Sequence, residues 1–399
     1  MSLPQKRRVY GNELKYLQEV LESDFRSSLG STMMSRFEQS FARKFGVEYA
    51  ISFVNGTATM HAALEAKGVG PGDEVIVPPL TMSATTFAVL QANATPIFAD
   101  VEEDTFQISA KSIAERITPR TRAIITVALY GLSPDMDAIN DIAKTHKLFV
   151  VEDNAECFLG RYKGRLVGTL GDCASFSFQS SKHVTSGEGG VLITQDLQLA
   201  ENVRRVQSLG YAGVGAKKGK ITKKDIQDPN YSRHVVMGWN YRMAELCAAV
   251  ALAQVENLDA LVACRVDASR LFTEVAREVD WLVPQHVGAD YEHSYWTWVA
   301  LLKRPDISWH AFRDRFTEFG GDGIYAAWKL TYLEPMFERM QLLGREKFIS
   351  AGNRAAYVPG LCPIAERIQP RLLQFKTNYW NFDEAARQAE ILRRTIRSF

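Results

Sequence analysis

The 399-residue chain has no stretch approaching the roughly 20 consecutive apolar residues that a membrane helix needs. Its first 20 residues hold no apolar core of signal-peptide length. A soluble, cytoplasmic protein with no membrane partner is expected. Charge imbalance is missing too: 47 basic residues face 46 acidic ones, a net +1. Nothing at whole-chain level therefore draws it to nucleic acid. Cysteines are few. Cys157, Cys173, Cys247, Cys264 and Cys362 are odd in number and form no CxxC pair, which predicts a reduced compartment. The seven histidines show no metal-ligand spacing, so no metal is expected. Internal repeats and low-complexity tracts are absent. GVGPGD (68–73) lacks the GxGxxG spacing and precedes a strand, and GVGAKKG (213–219) follows none, so neither reads as a dinucleotide fingerprint.

What is present is an ordinary globular composition, 46% hydrophobic and 23% charged, in a chain long enough for a large and a small domain. AISFV (50–54), EVIVP (74–78), TPIFAD (95–100), RAIITVAL (122–129) and KLFVVED (147–153) read as strands with helical runs between them. That alternation predicts an α/β fold with a mainly parallel sheet covered on both faces. CASFSF (173–178) alternates, with Phe176 and Phe178 facing one way and Ser175 and Ser177 the other. GVLITQ (190–195) is a further strand. Beyond about 260 the pattern changes to amphipathic helices mixed with short strands. Residues 1–260 are expected to form the large domain and 261–399 a smaller α+β domain.

Ligands of open α/β sheets sit beyond the carboxyl ends of the strands, and three groups fall there. Asn55-Gly56-Thr57 follows the first strand, where a tight turn into a helix offers free N–H groups to a phosphate. By itself this is more commonly a turn capped by Thr57. Asp153 ends KLFVVED, and an isolated aspartate there more often caps the next segment. Lys182 lies in a glycine-rich turn between two apolar strands. It is equally an exposed turn lysine or an amine placed to form a Schiff base. Together the three supply what pyridoxal phosphate requires: a phosphate cradle, an amine for its aldehyde and a carboxylate for its pyridine nitrogen.

Six blocks, from FEQSFARKFGVEYAISFVNGTATMHAAL through GWNYRMAELCAAVALAQVENLD, resemble the DegT/StrS family of sugar aminotransferases, as does CPIAERI (362–368). The resemblance implies a fold-type-I transferase with a mainly parallel seven-stranded sheet and pyridoxal phosphate as cofactor. It implies that Lys182 binds the cofactor and shuttles the proton, and that Asp153 pairs with the ring nitrogen. Gly56, Thr57, Ser177 and Gln179 are then placed at the phosphate. Asn240 reaches the cofactor phosphate of a partner subunit, so a homodimer with shared active sites is implied.

Some positions depart from the family pattern. Met82 stands where an aromatic residue usually stacks on the cofactor, and Glu156 where Gln usually contacts a cofactor oxygen. Trp328-Lys329 replaces a His-Tyr pair near the substrate pocket. His183, Trp328 and Lys329 are the candidate substrate-facing residues. Family dehydratases carry histidine in place of the lysine, so Lys182 followed by His183 favours transamination. The expected reaction moves an amino group from glutamate or glutamine to an oxo-sugar, for amino sugars of surface polysaccharide or lipopolysaccharide. Lysines 217, 218, 220, 223 and 224 read first as a solvated loop and second as a greeting for an anionic substrate. With Trp328-Lys329 they point to an 8-oxo-3,8-dideoxyoctulosonate. Alternatives are a nucleotide-linked 4-keto-6-deoxysugar or a keto-inositol acceptor, a sugar dehydratase, and a non-catalytic binding protein of the same fold.

Overall fold

The computed structural model describes residues 8, 9, 11–25 and 32–399. Seven strands form the main sheet: β1 (Tyr49–Phe53), β2 (Glu74–Val77), β3 (Thr95–Phe98), β4 (Thr121–Val127), β5 (Phe149–Asp153), β6 (Cys173–Ser177) and β7 (Gly190–Thr194). Their spatial order is β1-β7-β6-β5-β4-β2-β3. Only β7 runs against its neighbours; the pairs from β6 to β3 are parallel. The expected seven-stranded, mainly parallel sheet is therefore present, and β5 is buried at all five positions, as a strand covered on both faces must be.

The expected strand 95–100 stops at Phe98 because Asp100 turns away from the sheet. Its carboxylate accepts the backbone N–H groups of Val101, Ile364 and Ala365, each at 2.9 Å. The CPIAERI segment is thereby anchored to the large sheet.

Helices α1 (Glu13–Glu22) and α2 (Met33–Phe45) precede the sheet; α3 (Gly56–Ala66) and α4 (Ala84–Gln91) follow β1 and β2. Helix α2 buries Met33, Phe37, Phe41 and Phe45, spaced by four residues, and ends at Gly46 with φ 67°. Phe41 packs against Phe45, Phe176 and Phe178 with ring centroids 4.6, 5.1 and 5.9 Å away. This locks one face of β6, and its serines face the other way, as the alternation predicts.

Helices α5 (Glu245–Glu256) and α6 (Leu258–Ala276) lead into a four-stranded antiparallel sheet, with β8 (Leu282–Pro284), β9 (Thr297–Leu302), β10 (Tyr325–Ala326) and β11 (Leu372–Lys376) in the order β8-β9-β11-β10. The boundary expected at 260/261 falls inside α6. Leu258, Leu261 and Val262 pack with Phe37 and Phe176, whereas Ala268, Phe272 and Val275 pack with Trp298 and Phe375. The final helix, α7 (Phe382–Ile396), covers that second cluster. No single helix among the described residues is long and apolar enough to cross a membrane.

Candidate active site

A cavity of about 350 Å³ opens at the carboxyl ends of β1, β4, β5 and β6. Gly56, Thr57, Met82, Asp153, Glu156, Ser177, Gln179, Lys182 and Trp328 all line it. The structure thus gathers eight of the nine expected cofactor positions, drawn from four separate stretches of chain, and one of the three expected substrate positions.

One corner of the cavity is built by the start of α3. Its N-cap is Asn55, whose side chain accepts the Ala58 N–H at 2.8 Å; Thr57, the expected cap, is instead inside the helix. The reason is extended backbone at Asn55, with φ −166° and ψ 169°, which lets an Asx side chain reach forward. Thr57 is thereby left at the cavity. A Cβ on Gly56 would lie 3.2 Å from the Ser177 Cβ, so glycine brings this helix end tightly onto β6. The free N–H groups of a helix start, its positive dipole end and the Thr57 and Ser177 hydroxyls make an anion cradle.

Asp153 sits at the floor, paired in register between Val127 and Ser175. It is 4% exposed. Its carboxylate accepts from the Thr85 hydroxyl at 2.8 Å and the Ala155 N–H at 3.2 Å. Burial pushes this carboxyl above the usual aspartate value, while those two donors and the charge of Lys182 pull it down.

Lys182 is 9% exposed, and its Nζ lies 3.3 Å from Glu156 Oε1 and 4.3 Å from the Trp296 ring centroid. Glu156 also accepts the Tyr130 N–H at 3.0 Å. Burial raises the Glu156 carboxyl too, opposed chiefly by the Lys182 charge. The turn reading of Lys182 as an exposed residue is thereby overturned: its amine is enclosed.

Three expected site residues are elsewhere. His183 is fully buried behind the loop; its Nε2 lies 2.9 Å from the Ser294 carbonyl, and its ring packs on Phe158. Burial, then the Arg265 charge, lowers its pKa well below the usual value. It faces core because neighbouring side chains of the turn point in opposite directions. Lys329 is exposed and outside the cavity lining, while Trp328 beside it turns inward against Trp296, centroids 5.7 Å apart. Asn240 is exposed and does not reach this chain's cavity. Of the lysine cluster, Lys217 pairs with Glu48 and Lys220 with Glu245, and none of the five lines the cavity.

Sequence reasoning missed Thr85, Tyr130 and Trp296. Trp296 is 8% exposed, packs with the core of the large sheet and is also cavity wall. No local signal marks these three, since each acts through a partner more than twenty residues away.

The donor set fits pyridoxal phosphate. A buried carboxylate held up by desolvation is favoured as an anion by a cationic ring nitrogen, the cradle suits a phosphate, and the enclosed amine suits an aldehyde. Fold and donors together define a pyridoxal-phosphate-dependent aminotransferase. The chain belongs to the DegT/DnrJ/EryC1/StrS aminotransferase family, whose model matches residues 8–351. It is 39% identical over 295 residues to the GDP-perosamine synthase of Escherichia coli O157:H7, covering 74% of this chain and 76% of that one. It is 36% identical over 287 residues to the spore coat polysaccharide biosynthesis protein SpsC of Bacillus subtilis (strain 168), covering 72% of each. Among solved structures, the aminotransferase of Psychrobacter cryohalolentis superposes with a TM-score of 0.84 at 27% identity, over 97% of this chain and 96% of that one. The chain is a sugar aminotransferase of this family.

Proposed function

We propose that this cavity moves an amino group from glutamate, or glutamine, to an oxo-sugar, with Lys182 and Asp153 holding the cofactor between them. The observation that carries the reading is the enclosure of both side chains in one cavity at the strand ends. When bound, pyridoxal phosphate supplies the electron sink for breaking a C–H bond next to nitrogen. Asp153 keeps the proton on the ring nitrogen. Lys182 Nζ would take the proton from the donor's α-carbon, holding it as an ammonium beside Glu156. Glu156 and Trp296 steer that amine, and Trp296 and Trp328 exclude water. Gly56, Thr57, Ser177 and Gln179 would hold the phosphate and Met82 would border the ring, with Asn240 serving the cavity of a second subunit in a cytoplasmic homodimer.

A relative named for a GDP-linked sugar supports a nucleotide-linked 4-keto-6-deoxysugar as acceptor. The 8-oxo-3,8-dideoxyoctulosonate is a second reading, resting on Trp328-Lys329 in place of the family's His-Tyr pair. The lysine cluster lends it no support from within this chain, because those residues lie outside the cavity. Purified protein incubated with glutamate and a panel of oxo-sugars, read by mass spectrometry, tests the proposal. The product is expected to exchange carbonyl oxygen for nitrogen. Loss of water without gain of nitrogen would instead identify a dehydratase.

A further inference from the structure

Two arginines, one buried and one half-buried, grip the backbone of the loop that carries Lys182. Arg265, on α6, is 2% exposed. Its Nη2 donates to the carbonyls of Ser181 and Lys182 at 3.1 and 3.0 Å, and its Nη1 to the Trp296 carbonyl at 2.7 Å and the Thr377 hydroxyl at 3.2 Å. Arg8, from the opposite end of the chain, donates to the carbonyls of Ser180 and Lys182, the latter at 2.5 Å. The Trp296 indole N–H adds a bond to the Ser181 carbonyl at 2.9 Å. The carbonyls of residues 180, 181 and 182 are therefore all engaged by long-range donors.

Among the described residues neither guanidinium forms an ion pair with a carboxylate, and neither Nε has a hydrogen-bond partner. Burying an unpaired cation is costly unless its donors are satisfied. Here burial lowers Arg265 to about 9, with the Arg8 charge contributing, and burial lowers Arg8 to about 10. Surface or core stability alone does not call for two such cations side by side. A lysine on a four-carbon stem does need a fixed root, because small misplacements of a reacting group cost rate steeply.

We propose that Arg8 and Arg265 are positioning residues for Lys182, clamping its peptide from the N-terminal segment and from α6 so that the amine is held toward Glu156 and Trp296. The inference rests on the reading of Lys182 as the cofactor-binding amine. Arg8 bridges two carbonyls with one planar fork, which a lysine's single ammonium cannot reproduce.

Cofactor-free protein with Arg8→Ala, Arg8→Lys, Arg265→Lys or Lys182→Ala is mixed with pyridoxal phosphate, and the visible absorption of the attached cofactor is followed in time. Melting temperature and kcat and KM for glutamate are measured alongside. Arg8→Ala is expected to slow attachment and lower kcat by about tenfold to a hundredfold. KM for glutamate should change less than about twofold. Arg8→Lys should recover only part of the loss. Arg8 is the variant that decides, since Arg265→Lys alters a fully buried site. Attachment rate and kcat within about twofold of the unmodified protein in a folded Arg8→Ala would overturn the clamp. Lys182→Ala separates the two ideas: if it still develops the attached-cofactor band, the reading of Lys182 itself fails; if it loses the band while Arg8→Ala attaches at the normal rate, the clamp alone fails.

Discussion

Lys182 meets a carboxylate on one side and an aromatic face on the other. The contact with Trp296 contributes about 0.5–2 kcal/mol, toward the upper end where water is excluded. Lys182→Ala is expected to abolish amino transfer; retained transfer in a mass-spectrometric assay would remove the residue from its assigned role. Asp153→Asn should lower kcat by about a hundredfold or more, since the ring nitrogen loses the anion that keeps its proton. The same carboxyl makes a prediction about stability. Its folded pKa is raised from 3.8 by burial, so its stabilising contribution is complete below that value and lost as pH rises through the folded one. Cofactor-free protein should therefore lose melting temperature as pH climbs from about 4 toward neutrality. Asp153→Asn should reduce that slope without removing it, because Glu152 and Glu156 are raised by burial as well. An identical slope in the variant would show that Asp153 does not titrate in this way.

At the scale of elements, the site depends on how closely α3 approaches β6 and β7. Gly190 is the tightest point: an added Cβ would lie 2.5 Å from the Asn55 carbonyl carbon and oxygen. Backbone cannot yield as a side-chain tip does, so Gly190→Ala should destabilise the fold by about 1–3 kcal/mol and weaken cofactor binding together. Asn55→Ala, which removes only the cap, should cost about 1 kcal/mol in chemical denaturation. An unchanged denaturation midpoint would show that the cap bond contributes nothing net. The strands were legible because five-residue apolar runs ending in Asn55 and Asp153 have few other uses. The N-cap was misplaced by two residues because sequence offers both Asn55 and Thr57, and only the extended backbone at Asn55 decides between them.

Over the whole molecule, the cavity is closed by residues that the sequence scatters widely. Helix α6 joins the two clusters and carries Arg265 to the Lys182 loop, while Trp296 and Trp328 come from the segments just before β9 and just after β10. Asn240 is exposed on this chain, outside its cavity. Asn240→Ala is expected to raise the cofactor dissociation constant about tenfold, a loss of roughly 1.4 kcal/mol. The measurement is a cofactor titration at a protein concentration where sedimentation finds a dimer, and unchanged affinity there would count against shared sites.

The sequence alone determined the sheet, the family and two of the groups, Asp153 and Lys182, that the structure brings to one cavity. Periodicity of burial and turn chemistry are local, and strand ends in a parallel sheet always gather at one edge. Only the tertiary structure decided that Lys182 is enclosed, that His183 turns into the core and that Lys329 points away while Trp328 points in. It alone brought Arg8, Arg265, Thr85, Tyr130 and Trp296 to the site. These are matters of side-chain direction and long-range contact, which packing fixes after the backbone has closed and no local pattern encodes.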